Sequence, residues 1–235
     1  MTRRGELAAL VVEFLGVFTL VFIGVGAITL TNGQNLVAIA LAHGLALGLM
    51  VAAGGHISGG VFNPAVAIAL MATRKLPRAR GIGFIVAELF GAVVGALVVK
   101  GLYPVAATEA VRLGTPLPAA GVSDERALLV EGILTFFLMF VIFGVAIDKR
   151  GPATIAGLAI GLTFAMDIFA GGGISGAAMN PARSLGPALV QNEWGSFWIY
   201  WVGPIAGALA AAVLYNSLLL DTAEDEEDVA LPQPE

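Results

Sequence analysis

Few residues in this chain can do chemistry, and the most telling of them occur twice. Asn63-Pro64-Ala65 and Asn180-Pro181-Ala182 repeat one tripeptide, and Arg183 follows the second copy directly. Proline suits the first position of a helix, where its missing N–H would have had no intrahelical partner, and an asparagine before it is a good N-cap. Each tripeptide therefore predicts a helix start, with unpaired N–H groups and partial positive charge at its tip. An Asn side chain carries two N–H donors, so Asn63 and Asn180 can grip the oxygen of a small polar molecule and turn its hydrogens outward, which breaks a proton wire. A single Asn-Pro pair is ordinary turn punctuation; two copies in matched surroundings are not.

Covalent chemistry has little to work with. The chain has no cysteine and only two histidines, His43 and His56, which removes disulfides, thiolate metal sites and cysteine nucleophiles. The carboxylates in apolar sequence, Glu13, Glu88, Glu131 and Asp167, are widely placed and offer no base–nucleophile or metal-ligand spacing. No enzyme activity, metal or cofactor is expected, and no nucleic-acid partner.

The elements that position the tripeptides are apolar. Of the 235 residues 58% are hydrophobic and 12% charged, with mean hydropathy +0.90, against roughly 25% charged in a soluble domain. Lipid is the expected solvent. The 31 glycines suit helices that pack closely in a bilayer, as do Gly91 with Gly95 and Gly203 with Gly207 at four-residue spacing. About 20 apolar residues cross the hydrocarbon core as a helix. Six stretches meet or approach this, at roughly 7–30, 36–54, 82–103, 126–147, 153–170 and 197–220. The first is too long for a signal peptide. Two apolar pieces that begin at the prolines, 64–72 and 181–190, are too short to span.

The chain repeats itself. Ser58 precedes Asn63, and Ser175 precedes Asn180, by five residues each, while Glu13 and Glu131 stand 50 and 49 residues before their respective Asn. Repeat one covers about 7–103 and repeat two about 126–220. Each holds three spans, an odd number, so the second enters the membrane from the opposite side. Inverted repeats with interrupted helices place their site near the midplane, between the halves. Eight Lys and Arg residues (Arg3, Arg4, Arg74, Lys75, Arg78, Arg80, Lys149, Arg150) fall on one side and three (Lys100, Arg112, Arg126) on the other. This bias puts both termini in the cytoplasm, residues 1–6 forming a short N-terminus. The final segment 221–235 begins with six carboxylates within 221–228 and reads as a disordered, solvated cytoplasmic tail.

The segments His56-Ile57-Ser58-Gly59-Gly60-Val61-Phe62-Asn63-Pro64-Ala65-Val66 and Ser175 to Ala188, with the six spans, resemble the major intrinsic protein family of aquaporins and glycerol facilitators. The resemblance covers about 7–220. It implies an all-α membrane protein of six transmembrane helices plus two re-entrant half-helices, a multi-pass channel of the cell membrane, and a homotetramer with one pore per subunit. It also implies that water and small neutral solutes pass while protons and ions do not, the exclusion resting on half-helix dipoles and an arginine. By position relative to the motifs, the resemblance makes His43, Ile168, Ala177 and Arg183 the selectivity filter, a set similar to that of the vacuolar-type plant members. Ile168 and Ala177 remove a polar group and bulk, so ammonia, hydrogen peroxide or urea are expected besides water. Glu13 and Glu131 are implied to accept hydrogen bonds from the backbone of the two re-entrant loops.

Other readings stay open at this level. A glycerol facilitator would share the fold, although Ser184 and Tyr200-Trp201 stand where such members carry Asp and a Pro–aliphatic pair. A secondary active transporter also uses inverted repeats, with Glu13 and Glu131 as candidate coupling groups. Asp167 is expected either to be paired internally or to approach Arg183 and weaken its field. Glu88, where many relatives carry Gln, is expected to be paired internally.

Overall fold

A computed structural model describes residues 2–220; Met1 and the acidic segment 221–235, including the tail expected there, lie outside the described residues. The described chain is all-helical. The elements are α1 (Arg3–Leu30), α2 (Leu36–Ser58), α3 (Pro64–Ala72), α4 (Arg78–Leu102), α5 (Val105–Ala110), α6 (Asp124–Ile142), α7 (Ala156–Gly171), α8 (Pro181–Gln191) and α9 (Ile199–Leu214). Six of them, counting the short turns that extend α6, α7 and α9, are long and apolar enough to cross a membrane. Large apolar side chains such as Leu7, Leu49, Phe90 and Leu158 point outward, which a lipid solvent rewards and water would not.

Helix ends follow local capping chemistry. Thr2 accepts from Gly5 N at 3.2 Å at the start of α1, and Gly59, at φ +105°, ends α2 in the left-handed conformation that glycine tolerates. The apolar stretches mark the hydrocarbon-facing part of each helix and miss its polar turns. Thus α1 begins at Arg3 and α4 at Arg78, and α2 continues to Ser58, placing His56 in a helical turn rather than in the loop. The connection between α4 and α6 folds into α5 and a tight turn at Arg112–Gly114, neither of which the hydrophobic pattern announces.

The halves interleave. Within each repeat the first span packs on its second and third: α1 on α2 and α4, α6 on α7 and α9. The half-helices cross over, α3 packing on α9 of the other repeat and α8 on α4. At the central α2–α7 crossing the close approach is reciprocal. A methyl group at Gly44 would strike the Gly161 carbonyl and one at Gly161 the Gly44 carbonyl, and Gly48 and Gly157 are paired in the same way. Gly91 and Gly95 similarly lie against the α1 backbone, and Gly203 and Gly207 against that of α6. Small residues here let backbones touch, which is how helices gain packing energy in lipid.

One end of the bundle is tied by a polar knot. Arg150 bonds both oxygens of Asp148, at 3.0 Å and 2.7 Å, and also the Leu219 carbonyl beyond α9, while Tyr215 donates to Asp148 at 3.2 Å. The Arg150 hydrogen bonds hold the Asp148 carboxyl well below the usual carboxylate range.

Candidate functional site

The loops that lead into α3 and α8 are built alike. Phe62 (φ +48°) and Met179 (φ +51°), the residues before each Asn, both adopt a left-handed backbone, a strained choice for bulky side chains. Something must hold them there, and two buried carboxylates do. Glu13 accepts from Val61 N at 3.1 Å and Phe62 N at 2.7 Å; Glu131 accepts from Ala178 N at 3.0 Å and Met179 N at 2.7 Å. Both glutamates are fully buried. A carboxylate that takes two backbone N–H groups satisfies donors that lipid would leave orphaned.

Each asparagine caps its own half-helix, Asn63 Oδ1 accepting from Ala65 N and Asn180 Oδ1 from Ala182 N, both at 2.9 Å. This fixes the amide so that Nδ2 faces away from its helix. Each Nδ2 then donates to the opposite loop: Asn63 to the Met179 carbonyl and Asn180 to the Phe62 carbonyl, both at 2.8 Å. The left-handed residues are thus the ones whose carbonyls staple the two half-helices together. Of the two N–H donors that each Asn carries, one is committed to the staple, leaving one per side chain.

Three of the other site residues come together at the start of α8. His43, Ile168 and Arg183 line a single cavity of about 350 Å³, together with Gly114 and Thr115. Ala177 is buried and lies outside that lining, in the loop where its N–H donates to Ser175 Oγ at 3.2 Å. Arg183 sits in the first turn of α8 and donates from Nη1 to the Gly114 carbonyl at 3.0 Å, while its Nε has no protein partner. His43 Nδ1 is 2.8 Å from the Ile39 carbonyl. A carbonyl only accepts, so Nδ1 carries a proton there, and Nε2 has no protein partner.

Two carboxylates separate here. Glu88 is paired internally, taking Asn63 N at 3.0 Å. Asp167 forms no ion pair with Arg183 among the described residues, and its Oδ2 is buried without a hydrogen-bond partner. The suggestion that it weakens the arginine's field through direct contact is therefore not carried forward.

Several participants escape sequence reading. The carbonyls of Phe62, Met179 and Gly114 are backbone groups with no residue signature. Tyr200, read in sequence only with Trp201 as a pair unlike that of glycerol facilitators, donates to the Ser175 carbonyl at 2.7 Å.

Beyond the two capped half-helices stapled tip to tip, residues 1–215 match the Major intrinsic protein family. The chain belongs to that family. An aquaporin NIP1-1 of rice is 43% identical over 211 residues, covering 88% of this chain and 72% of the relative. A probable aquaporin TIP3-2 of Arabidopsis thaliana is 40% identical over 249 residues, covering 99% and 91%. Among solved structures, the aquaglyceroporin from Plasmodium falciparum superposes with a TM-score of 0.84 at 26% identity, covering 91% of this chain and 97% of that one. This major intrinsic protein thus shares its fold with a channel at low identity, and its sequence is nearer to plant aquaporins.

Proposed function

We propose that this protein is a passive channel for water and small neutral solutes such as ammonia, hydrogen peroxide or urea, excluding protons and ions. The observation that carries the reading is the reciprocal staple. Asn63 and Asn180 are each anchored at Oδ1 and at one N–H, so the remaining N–H of each is fixed in place. A water whose oxygen accepts from these two donors must turn both hydrogens outward, and two helix N-termini add positive potential where a cation would pass.

We assign selectivity to His43, Ile168, Ala177 and Arg183. Arg183 supplies a permanent charge that repels cations, its side chain steadied by Gly114. Ile168 supplies an apolar wall and Ala177, in the adjoining loop, adds no bulk, which supports passage of solutes larger than water. Glycerol conduction is a weaker reading, because Ser184 Oγ bonds back to the Pro181 carbonyl at 2.8 Å and presents no carboxylate. Alternating access is disfavoured because the re-entrant loops of the two halves are bonded to each other. The bilayer in question is assigned as the cell membrane, with both termini cytoplasmic and four copies assembled around separate pores.

The test is stopped-flow light scattering on reconstituted vesicles with water, glycerol, urea and ammonia. Water flux insensitive to proton and sodium gradients is expected, with urea passing and glycerol passing poorly. Ile168→His should exclude urea while keeping water flux; equal urea exclusion in both proteins would remove the broad-filter assignment.

A further inference from the structure

The glycines of α1 differ from those at the other helix crossings. At Gly44, Gly48, Gly91 and Gly207 an added methyl would meet backbone of the neighbouring helix, the signature of close-packed helices. At Gly24 the three nearest atoms are all in one side chain, the imidazole of His43: Nε2, Cδ2 and Cε1. The whole distal edge of the ring lies against bare α1 backbone. Gly24 is a socket for a side chain.

The other sides of that ring are also occupied. Nδ1 is tied to the Ile39 carbonyl of its own helix at 2.8 Å. Phe164 of α7 stacks on it, with centroids 6.3 Å apart and planes 20° from parallel. The remaining side is the cavity shared with Ile168 and Arg183. An imidazole pushed off Gly24 has α2 behind it and Phe164 beside it, so its way out is into that cavity.

We propose that Gly24 is a positioning residue for selectivity: it withdraws the His43 imidazole from the lumen and so sets the width of the constriction. This rests on the assignment of His43 to the filter. Buried Nε2 has no protein partner, a polar atom left unpaired to seat the ring in the socket. Such an atom costs free energy, which a function in pore width would explain and helix packing alone would not.

The test is a double-mutant cycle of Gly24→Ala and His43→Ala in reconstituted vesicles, reading water and urea permeability per folded channel. In the wild-type background Gly24→Ala should lower water permeability and lower urea further, the urea-to-water ratio falling about tenfold, the low end for one methyl-sized change in a fitted site. In the His43→Ala background the same substitution should leave the ratio unchanged. Unchanged permeability to both solutes in the wild-type background overturns the proposal, as does an equal fall in both backgrounds. Should Gly24→Ala alone fail to fold, recovery of folded protein in the double variant supports the socket, and failure in both overturns it. His43→Ala alone separates the two ideas. If it leaves both permeabilities unaltered, the filter assignment of His43 fails; if it alters them while Gly24→Ala does not, only the socket fails.

Discussion

The two re-entrant loops are alike at their centre and unlike at their edges. Their glutamate clamps, caps and cross-bonds agree to within 0.1 Å, at 3.1 and 3.0 Å, 2.7 and 2.7 Å, 2.9 and 2.9 Å, 2.8 and 2.8 Å. Around that core they diverge. The first loop gains a second carboxylate, Glu88, on the Asn63 N–H. The second gains a neutral group, Tyr200 donating to the Ser175 carbonyl, whereas a serine bonds the glutamate in both, Ser58 with Glu13 and Ser175 with Glu131. It also carries Arg183, tied to the turn at Arg112–Gly114. The matched part serves what both directions of passage require, a fixed pair of donors. Of the unmatched groups, Arg183 lines the cavity beside His43 and Ile168.

The comparison can be broken most forcefully at the clamps. Glu13→Leu and Glu131→Leu each strand two buried N–H groups, costing about 2–6 kcal/mol at ~1–3 per group. Loss of folded protein on size exclusion in detergent is expected from both, since each also abandons a serine, Ser58 or Ser175. Folded protein retained by either variant would mean that its clamp is dispensable. Next in size is Glu88→Leu, which leaves Asn63 N unpaired at about 1–3 kcal/mol, whereas Glu88→Gln keeps an acceptor there and should be close to neutral. A lower midpoint for thermal unfolding in Leu but not Gln identifies the role as acceptor rather than charge. Tyr200→Phe removes one bond to the Ser175 carbonyl, worth about 1 kcal/mol, and should lower the unfolding midpoint with little change in water flux.

The smallest effect concerns pH at the Asp148 knot. Its folded carboxyl titrates below the ordinary range, so its contribution is present above the unfolded value of about 3.9 and is lost as pH falls through the lower folded value. Asp148→Asn should therefore differ from wild type at neutral pH, with the difference shrinking only in strong acid. Thermal unfolding at several pH values checks this. Between α1 and α4 the Glu6–Arg80 pair, partly exposed and at 3.5 Å, is expected to contribute less.

Much of this was legible in the sequence because membrane helices announce themselves by length and the tripeptides by duplication. The half-helix starts at Pro64 and Pro181 are where the Pro and N-cap rules place them. Helix ends were less legible, since turns such as Arg78–Gly81 are polar and contribute nothing to an apolar count. The mouth was least legible. Arg183 stands out by its charge, but its partner is a carbonyl delivered by Arg112, Leu113 and Gly114, all left-handed, and no side-chain chemistry encodes that. Gly24 was invisible for another reason: in sequence, a socket for an imidazole and a backbone crossing are the same letter.

The crossed packing of the half-helices has a consequence for biogenesis. A ribosome releases α3 early and α9 last, yet α3 lies against α9. Through most of synthesis the first half-helix has neither that wall nor the Met179 carbonyl that Asn63 needs. The first half-helix therefore reaches its final surroundings only after the second repeat has been made.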